Sequence, residues 1–558
     1  MLRAVTVSSM LFVAASWPAA AAPPGREAPR WCGTTREGAR DAVAAHREAS
    51  RETVRASSAR ASFDVGQIAV LQDEGDLALL RNLFDLQNAT LRFGPLAEGF
   101  AVTRLSAPLF PEPGTRITLG DDASAAVPLP FAFPFYGTSY RAVNVNSDGN
   151  LTFGQPDGAS TARNLGRLLF GPPRIAPLLT DLDPSQGGSV AWSAAGDRFS
   201  VTWTEVPQFD RTDRNTFQVS LYADGRIETA YGTVTAGIDE GVVGIAPGGS
   251  ANGFTPVDFA AAAGQAGVSL AESLRSSDGL DLVAVARKFY RDHPDEYDGL
   301  VVFTNRRLVE TGVFAFEQTV QNDVTGIGAA AVDRSGDYGS GGRLHSVAMM
   351  DSLTKYPDDP FRVFLGADSG LAVLAHEVGH RWLTQATFQD DARVSRELLG
   401  RDEVHWSFFV DTDGSHLEGN DIVDEGGGRF RTVAAGVRYS PVDQYLMGLR
   451  DAAEVAPFFF VRNPLGTGSD AGSDPEVGVS FTGTRKDVAL ADLVAAMGRR
   501  EPAFGTSPRT IRQAFVYVAV GAAPAAADIE KLERIRAAWE PFFAASTEGR
   551  GAVEARLN

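Results

Sequence analysis

The stretch Leu371-Ala372-Val373-Leu374-Ala375-His376-Glu377-Val378-Gly379-His380-Arg381-Trp382 decides how the second half of the chain is read. Its first five residues are apolar without a break and Ser369 stands where an N-cap belongs, so the pattern predicts a buried helix, extended here to Leu371–Phe388. His376 and His380 are four apart. They project from one face about one turn apart, where both imidazoles can hold a single cation. Glu377 lies one residue on, about 100° around the axis, beside such an ion and free to take a proton from a bound water. With seven histidines among 558 residues, chance placement of this triplet is rare.

Working outward, Leu282 to Tyr290 reads as a helix, Leu300 to Phe303 as a buried strand and Arg343 to Met350 as a further strand left unpaired just before the histidine helix. Leu490 to Arg499 and Ala527 to Ala545 read as C-terminal helices, with a polar loop over Gly466 to Asp474. Strands mixed with helices predict an α+β unit over residues 282–558.

The H-E-x-x-H pattern resembles the zincin metallopeptidases over this helix only. The resemblance implies Zn2+, three protein ligands, an open water position and Glu377 as general base. The usual continuations fail. A metzincin would continue into Gly and His, whereas Leu383-Thr384-Gln385-Ala386 offers neither. A thermolysin-like enzyme would place a Glu about twenty residues on, where this chain has Gly400. Glu397 stands nearby, on an expected helix from Ala392 to Leu399. His405 is the favoured third ligand, because imidazole suits zinc and the segment returns soon after the motif. Glu418 and Glu397 are the alternatives, with His416 adjoining. The run Tyr439 to Gly448 is loosely similar to a metzincin Met-turn, which implies Met447 as a floor and Tyr439 or Tyr445 as an oxyanion donor.

Upstream, period-two runs predict an all-β sandwich. Phe217, Val219 and Leu221 lead through Asp224-Gly225 into Ile227, Thr229 and Tyr231, and Val143 to Val145 leads through Asn146-Ser147-Asp148-Gly149 into Leu151 to Phe153. Phe133 to Gly137, Asn146 to Phe153, Val201-Thr202-Trp203 and Asn215 to Gly225 resemble the extracellular nidogen-type (NIDO) module over roughly residues 130–250. That resemblance implies an interaction module with a protein or glycan ligand. Residues 96–250 are assigned to it, and the Ala/Gly/Ser-rich stretch 251–281 to a linker.

The N-terminus carries Arg3, an apolar run from Ala4 to Trp17 and small residues Ala19 to Ala22, an export signal with cleavage expected after Ala21. Residues 22–95 read as a prosegment or arm, charged from Glu37 to Arg60. No later apolar run reaches the length of a membrane span, since Ala514 to Ala527 is broken by Pro524. The expected location is therefore secreted or periplasmic. A single cysteine, Cys32, excludes an intrachain disulfide. Arg30-Trp31-Cys32-Gly33-Thr34 is similar to the cysteine switch of pappalysin-type zinc peptidases, which implies a latent zymogen.

A net charge of −19 and an isoelectric point near 4.9 argue against nucleic acid as a partner. Asp411-Thr412-Asp413-Gly414-Ser415 invites a Ca2+ reading but puts His416 where an EF-hand needs Gly; an Asp-Gly turn is the plainer account, and Ca2+ stays a second candidate ion. The expectation is a multidomain protein, an all-β sandwich followed by an α+β zincin-like metallopeptidase domain acting on polypeptides. The alternative is a non-catalytic extracellular adhesion or matrix-binding protein with a structural metal.

Overall fold

The computed structural model describes residues 62–558, except 108, 111–113, 159–162, 250–253, 262–263, 310–312 and 437, together with the backbone of Arg30–Cys32. The expected export signal, the charged arm from Glu37 to Arg60 and the Cys32 side chain lie outside the described residues.

The upstream region is a two-sheet sandwich. One sheet holds seven strands, from Ser124–Phe135 to Phe254–Pro256, and the other eight, from Thr115–Ile117 to Ala266–Gly267. The Asp224-Gly225 turn forms as expected, with Gly225 at φ 89°, a conformation that favours glycine. Across the ladder Trp203 pairs with Phe217 and Phe217 with Tyr231, so all three rings fall on the face that closes the core.

Two boundaries move. Ser269–Arg275, expected in a linker, is a buried strand that pairs with Glu240–Ala246 from Leu270 opposite Ile245 to Arg275 opposite Glu240. The two strands approach closely, and a Cβ on Gly244 of the partner strand would collide with the Leu270 carbonyl. Thr90–Pro95, assigned to the arm, lies inside the sandwich between Phe100–Leu105 and Ile227–Tyr231.

The second region is built on an eight-stranded mixed sheet. Its strands are, in chain order, Arg30–Cys32 (β1), Ser62–Val65 (β2), Ile68–Asp73 (β3), Gly299–Thr304 (β4), Val313–Thr319 (β5), Ser346–Ser352 (β6), Thr510–Val520 (β7) and Ala552–Glu554 (β8). Their spatial order is β1-β5-β6-β4-β7-β3-β2, with β8 beside β7. Strands β6, β4, β7 and β3 run parallel. They read as continuous apolar runs because both faces are covered. Ile68, Val70, Val301, Phe303, Phe515 and Tyr517 enter one core, and Ala69, Leu71, Leu300, Val302, Ala514 and Val516 enter the other.

The helices are Leu282–Phe289 (α1), Gly370–Gly379 (α2), Pro441–Leu446 (α3), Leu490–Met497 (α4) and Ala526–Ser546 (α5). Residues of α1 join the second core, those of the other four the first. Between α2 and α4 the chain closes a small barrel from Val410–Asp411, Asn420–Gly426, Arg429–Ala435, Ser480–Val488 and Phe458–Leu465.

Three sequence expectations are corrected here. The arm assigned to residues 22–95 contains β2 and β3, and β3 is interior to the downstream sheet, because its four apolar residues are fully buried. The strand expected to be unpaired at Arg343 to Met350 is β6, hydrogen-bonded on both sides by β4 and β5. The helix expected over Leu371–Phe388 ends at Gly379, and Phe388–Asp390 pairs instead with Arg393–Ser395 about a turn with Asp391 at φ 52°.

A chain beginning at residue 61 should melt as the full chain does, whereas one beginning at residue 76 loses β3 and should lose the cooperative transition of the downstream domain. Ile68→Ala alone should cost about 2–5 kcal/mol in denaturant unfolding; an unchanged midpoint would show that the sheet does not depend on β3.

Candidate metal centre

Helix α2 starts where Ser369 Oγ accepts the Ala372 N–H, and every residue from Gly370 to Gly379 is buried. It packs on β5 and β6 below and against α5. Gly379 has a packing reason: a Cβ there would meet Leu417 Cδ2 at 2.7 Å and Tyr439 Cε1 at 3.1 Å. His380 caps the helix while keeping helical torsions, so the four-residue spacing of the two imidazoles survives to the end of the element.

The third imidazole comes from a loop. His405 is wholly buried and pinned on both sides, with the Gly400 N–H donating to its carbonyl and the Trp406 N–H to the Leu417 carbonyl. Trp406 Nε1 donates to Asp443 Oδ1 at 2.8 Å, and Asp443 also accepts from Ser415 Oγ and the Ser440 N–H. One buried carboxylate on α3 thereby ties together the chain on either side of the site.

The three rings meet edge to edge. His376 Nε2 is 3.2 Å from His380 Nε2 and 3.2 Å from His405 Nε2. Each opposite nitrogen faces a backbone carbonyl: His376 Nδ1 the His416 oxygen at 2.7 Å, His380 Nδ1 that of Leu383 at 3.0 Å, and His405 Nδ1 that of Arg401 at 2.8 Å. A carbonyl only accepts, so each Nδ1 carries the proton and each Nε2 presents a lone pair. Burial holds all three imidazoles below their usual pKa, His380 to about 4, which keeps them neutral.

Three lone pairs aimed at one point repel unless a cation lies between them. Metal–nitrogen bonds of about 2.0–2.1 Å in tetrahedral geometry separate ligand nitrogens by about 3.3–3.4 Å, close to the spacing found. The donor set therefore fits a divalent ion that favours imidazole, with the carbonyls fixing ring orientation. Glu377 is fully buried on the same turn.

The other sequence candidates fall elsewhere. Glu397 is exposed and bound to Arg462, which with Ser395 lowers its pKa; no helix forms around it. Glu418 lies beside the triad, its Oε1 3.8 Å from His405 Nε2, and is paired with Arg401. Burial pushes its carboxyl up to about 7. The His416 ring faces away, with Nε2 at Ser546 Oγ on α5. Tyr439, expected as an oxyanion donor, donates instead to the Ala375 carbonyl at 2.6 Å, because it lies under α2. Tyr445, the other donor expected, is buried and its Oη accepts the Arg500 N–H. Met447 is in the core that contains α2.

The carboxylates of Asp411, Asp413 and Asp421 come within 4.8 Å of one another; the sequence reading singled out the first two but not Asp421. It also assigned nothing to Arg401 or Asp443. Asp443 had a readable signal, since it sits three residues after Ser440 in a capping box.

The sandwich is what known proteins identify. Residues 99–275 match a family model described as NIDO related. This NIDO-related domain reaches further than the resemblance legible in sequence, and it includes the Ser269–Arg275 strand. The match stops short of the segment that carries the three histidines, and no solved structure matches the chain. Among the described residues no helix is long and apolar enough to cross a membrane.

Removing one imidazole tests the triad directly. His405→Ala should bind less than about a tenth of the zinc that the unaltered protein holds, measured by elemental analysis after dialysis. Full stoichiometry in that variant would transfer the ligand role to Glu418.

Proposed function

We propose that the histidine domain is an exported zinc-dependent metallopeptidase of zincin type acting on polypeptides. The observation that carries this reading is the convergence of three unprotonated Nε2 atoms, that of His376 lying 3.2 Å from each of the other two, with Glu377 buried on the same helical turn. Bound there, a zinc ion would polarise the scissile carbonyl and bring the pKa of its water toward about 7.

The remaining work belongs to side chains of this chain. Glu377 takes the proton of the attacking water and later delivers it to the leaving amine. The carbonyls of His416, Leu383 and Arg401 hold the imidazoles in register throughout. Strand β5, which packs against α2 and carries β1 on its outer side, would offer backbone groups to an extended peptide once β1 is displaced. The NIDO-related domain supplies an extracellular contact with a protein or glycan.

The same strand supports a latent precursor. Strand β1 pairs parallel to β5, with Arg30 opposite Val313 and Cys32 opposite Ala315, so the backbone of the cysteine segment lies along the strand where substrate would bind. In this reading the prosegment covers the cleft and the Cys32 thiolate closes the open metal position, soft sulfur being a strong zinc ligand.

Glu377→Gln should keep its zinc and lose peptide turnover by roughly 10²–10⁴-fold, the contribution of general acid–base catalysis. Equal turnover in the two proteins, with zinc bound in both, would exclude Glu377 as the base. A protein that works only by adhesion would show neither turnover nor any change on substitution. For latency, full-length Cys32→Ser should cleave casein before any processing while the unaltered precursor does not; equal latency of both refutes the switch.

A further inference from the structure

Tyr439 donates to the Ala375 carbonyl and Tyr445 lies at the Arg500 backbone, while a cationic side chain stands beside the triad. Arg401 Nη2 lies 3.4 Å from His405 Nε2, the atom that points into the metal position. The same residue's carbonyl accepts from His405 Nδ1, so Arg401 contacts both edges of that ring. Its side chain is 13% exposed, open enough to meet a substrate and dry enough for its charge to act strongly. Among the described residues it is the cationic side chain recorded within hydrogen-bond reach of a metal-facing nitrogen.

We propose that Arg401 stabilises the negative charge that develops on the substrate's carbonyl oxygen, with Glu418 as the positioning residue that aims it. The proposal rests on the metallopeptidase reading. Nε and Nη2 of Arg401 both donate to Glu418, which fixes the plane of the guanidinium. The carboxylate also neutralises a cation that would otherwise repel a divalent ion close by.

In the step so assisted, the water oxygen bonds to the carbonyl carbon, the C=O π pair moves onto oxygen against the guanidinium, and the proton goes to Glu377. The C–N bond then breaks, its pair stays on nitrogen, the nitrogen takes the proton from Glu377, and C=O re-forms. No oxidant or further reactant is needed. Stabilisation of that oxygen by one donor is commonly worth about 10²–10³ in kcat.

The test uses full-length zinc-loaded protein carrying Cys32→Ser, with Arg401→Gln, Arg401→Lys and Glu418→Gln added singly. Three quantities are read: zinc per chain, the Kd of inorganic phosphate as a tetrahedral oxyanion by calorimetry, and kcat and KM on fluorescein-labelled casein. Arg401→Gln should keep one zinc, bind phosphate at least tenfold more weakly, and lose about 10²–10³ in kcat with KM within threefold. Glu418→Gln should keep zinc and fall between it and the parent. Unchanged phosphate affinity and kcat in Arg401→Gln overturn the proposal, as does loss of zinc, which would make Arg401 a support for His405 alone. Should Arg401→Gln fail to fold, Arg401→Lys decides: weaker phosphate binding with zinc retained supports the assignment, and full affinity overturns it. A parent that binds zinc and phosphate but cleaves no peptide sinks the peptidase reading itself, while the phosphate comparison still reports on Arg401.

Discussion

Three imidazole nitrogens carrying lone pairs and no protons converge, that of His376 lying 3.2 Å from each of the other two, and much of the downstream domain is arranged to hold them there. Left alone, such a cluster would relieve itself by protonating or by rotating a ring. Both routes are closed. Burial makes the charged form costly, and each ring is locked by donating Nδ1–H to a main-chain carbonyl. Those carbonyls belong to residues 383, 401 and 416, so the constraint spreads to three loops and through them to the rest of the domain.

Asp443 shows how far it spreads. Its carboxylate is fully buried, which raises its pKa, yet donors from Trp406, Ser415 and Ser440 satisfy it. A buried carboxylate is costly unless hydrogen-bonded, and here the bonds join the residue after His405, the loop before His416 and the cap of α3. Tyr439, at the foot of the same helix, donates to the carbonyl of Ala375, one residue before His376. Helix α2 is held from beneath by an aromatic contact rather than by its own propensity, as expected of an element of ten residues.

The N-terminal strands place a second demand on the architecture. Strand β3 is buried on both faces, and β1 continues the sheet beyond β5 on the side of α2. The NIDO-related domain is thus inserted between strands of one sheet: the chain enters the downstream core, leaves to build the sandwich and returns at α1. Any processing upstream would have to leave β3 with the sheet.

What the sequence determined by itself is local. The His376–Glu377–His380 face follows from 3.6 residues per turn, and the Asp224-Gly225 hairpin from period-two alternation and a glycine at positive φ. Each needs only neighbours within a few positions. Tertiary structure alone decided which residue joins the pair, because Glu397, His405 and Glu418 are all near in sequence and differ in what surrounds them. Arg462 captures Glu397 at the surface and Arg401 captures Glu418, while the backbone of Gly400 and Leu417 seats His405. The same holds for β3, whose parallel partner β7 lies more than four hundred residues downstream. Its short apolar run is as compatible with an arm entering the sandwich as with the centre of a parallel sheet, and only burial on both faces separates the two.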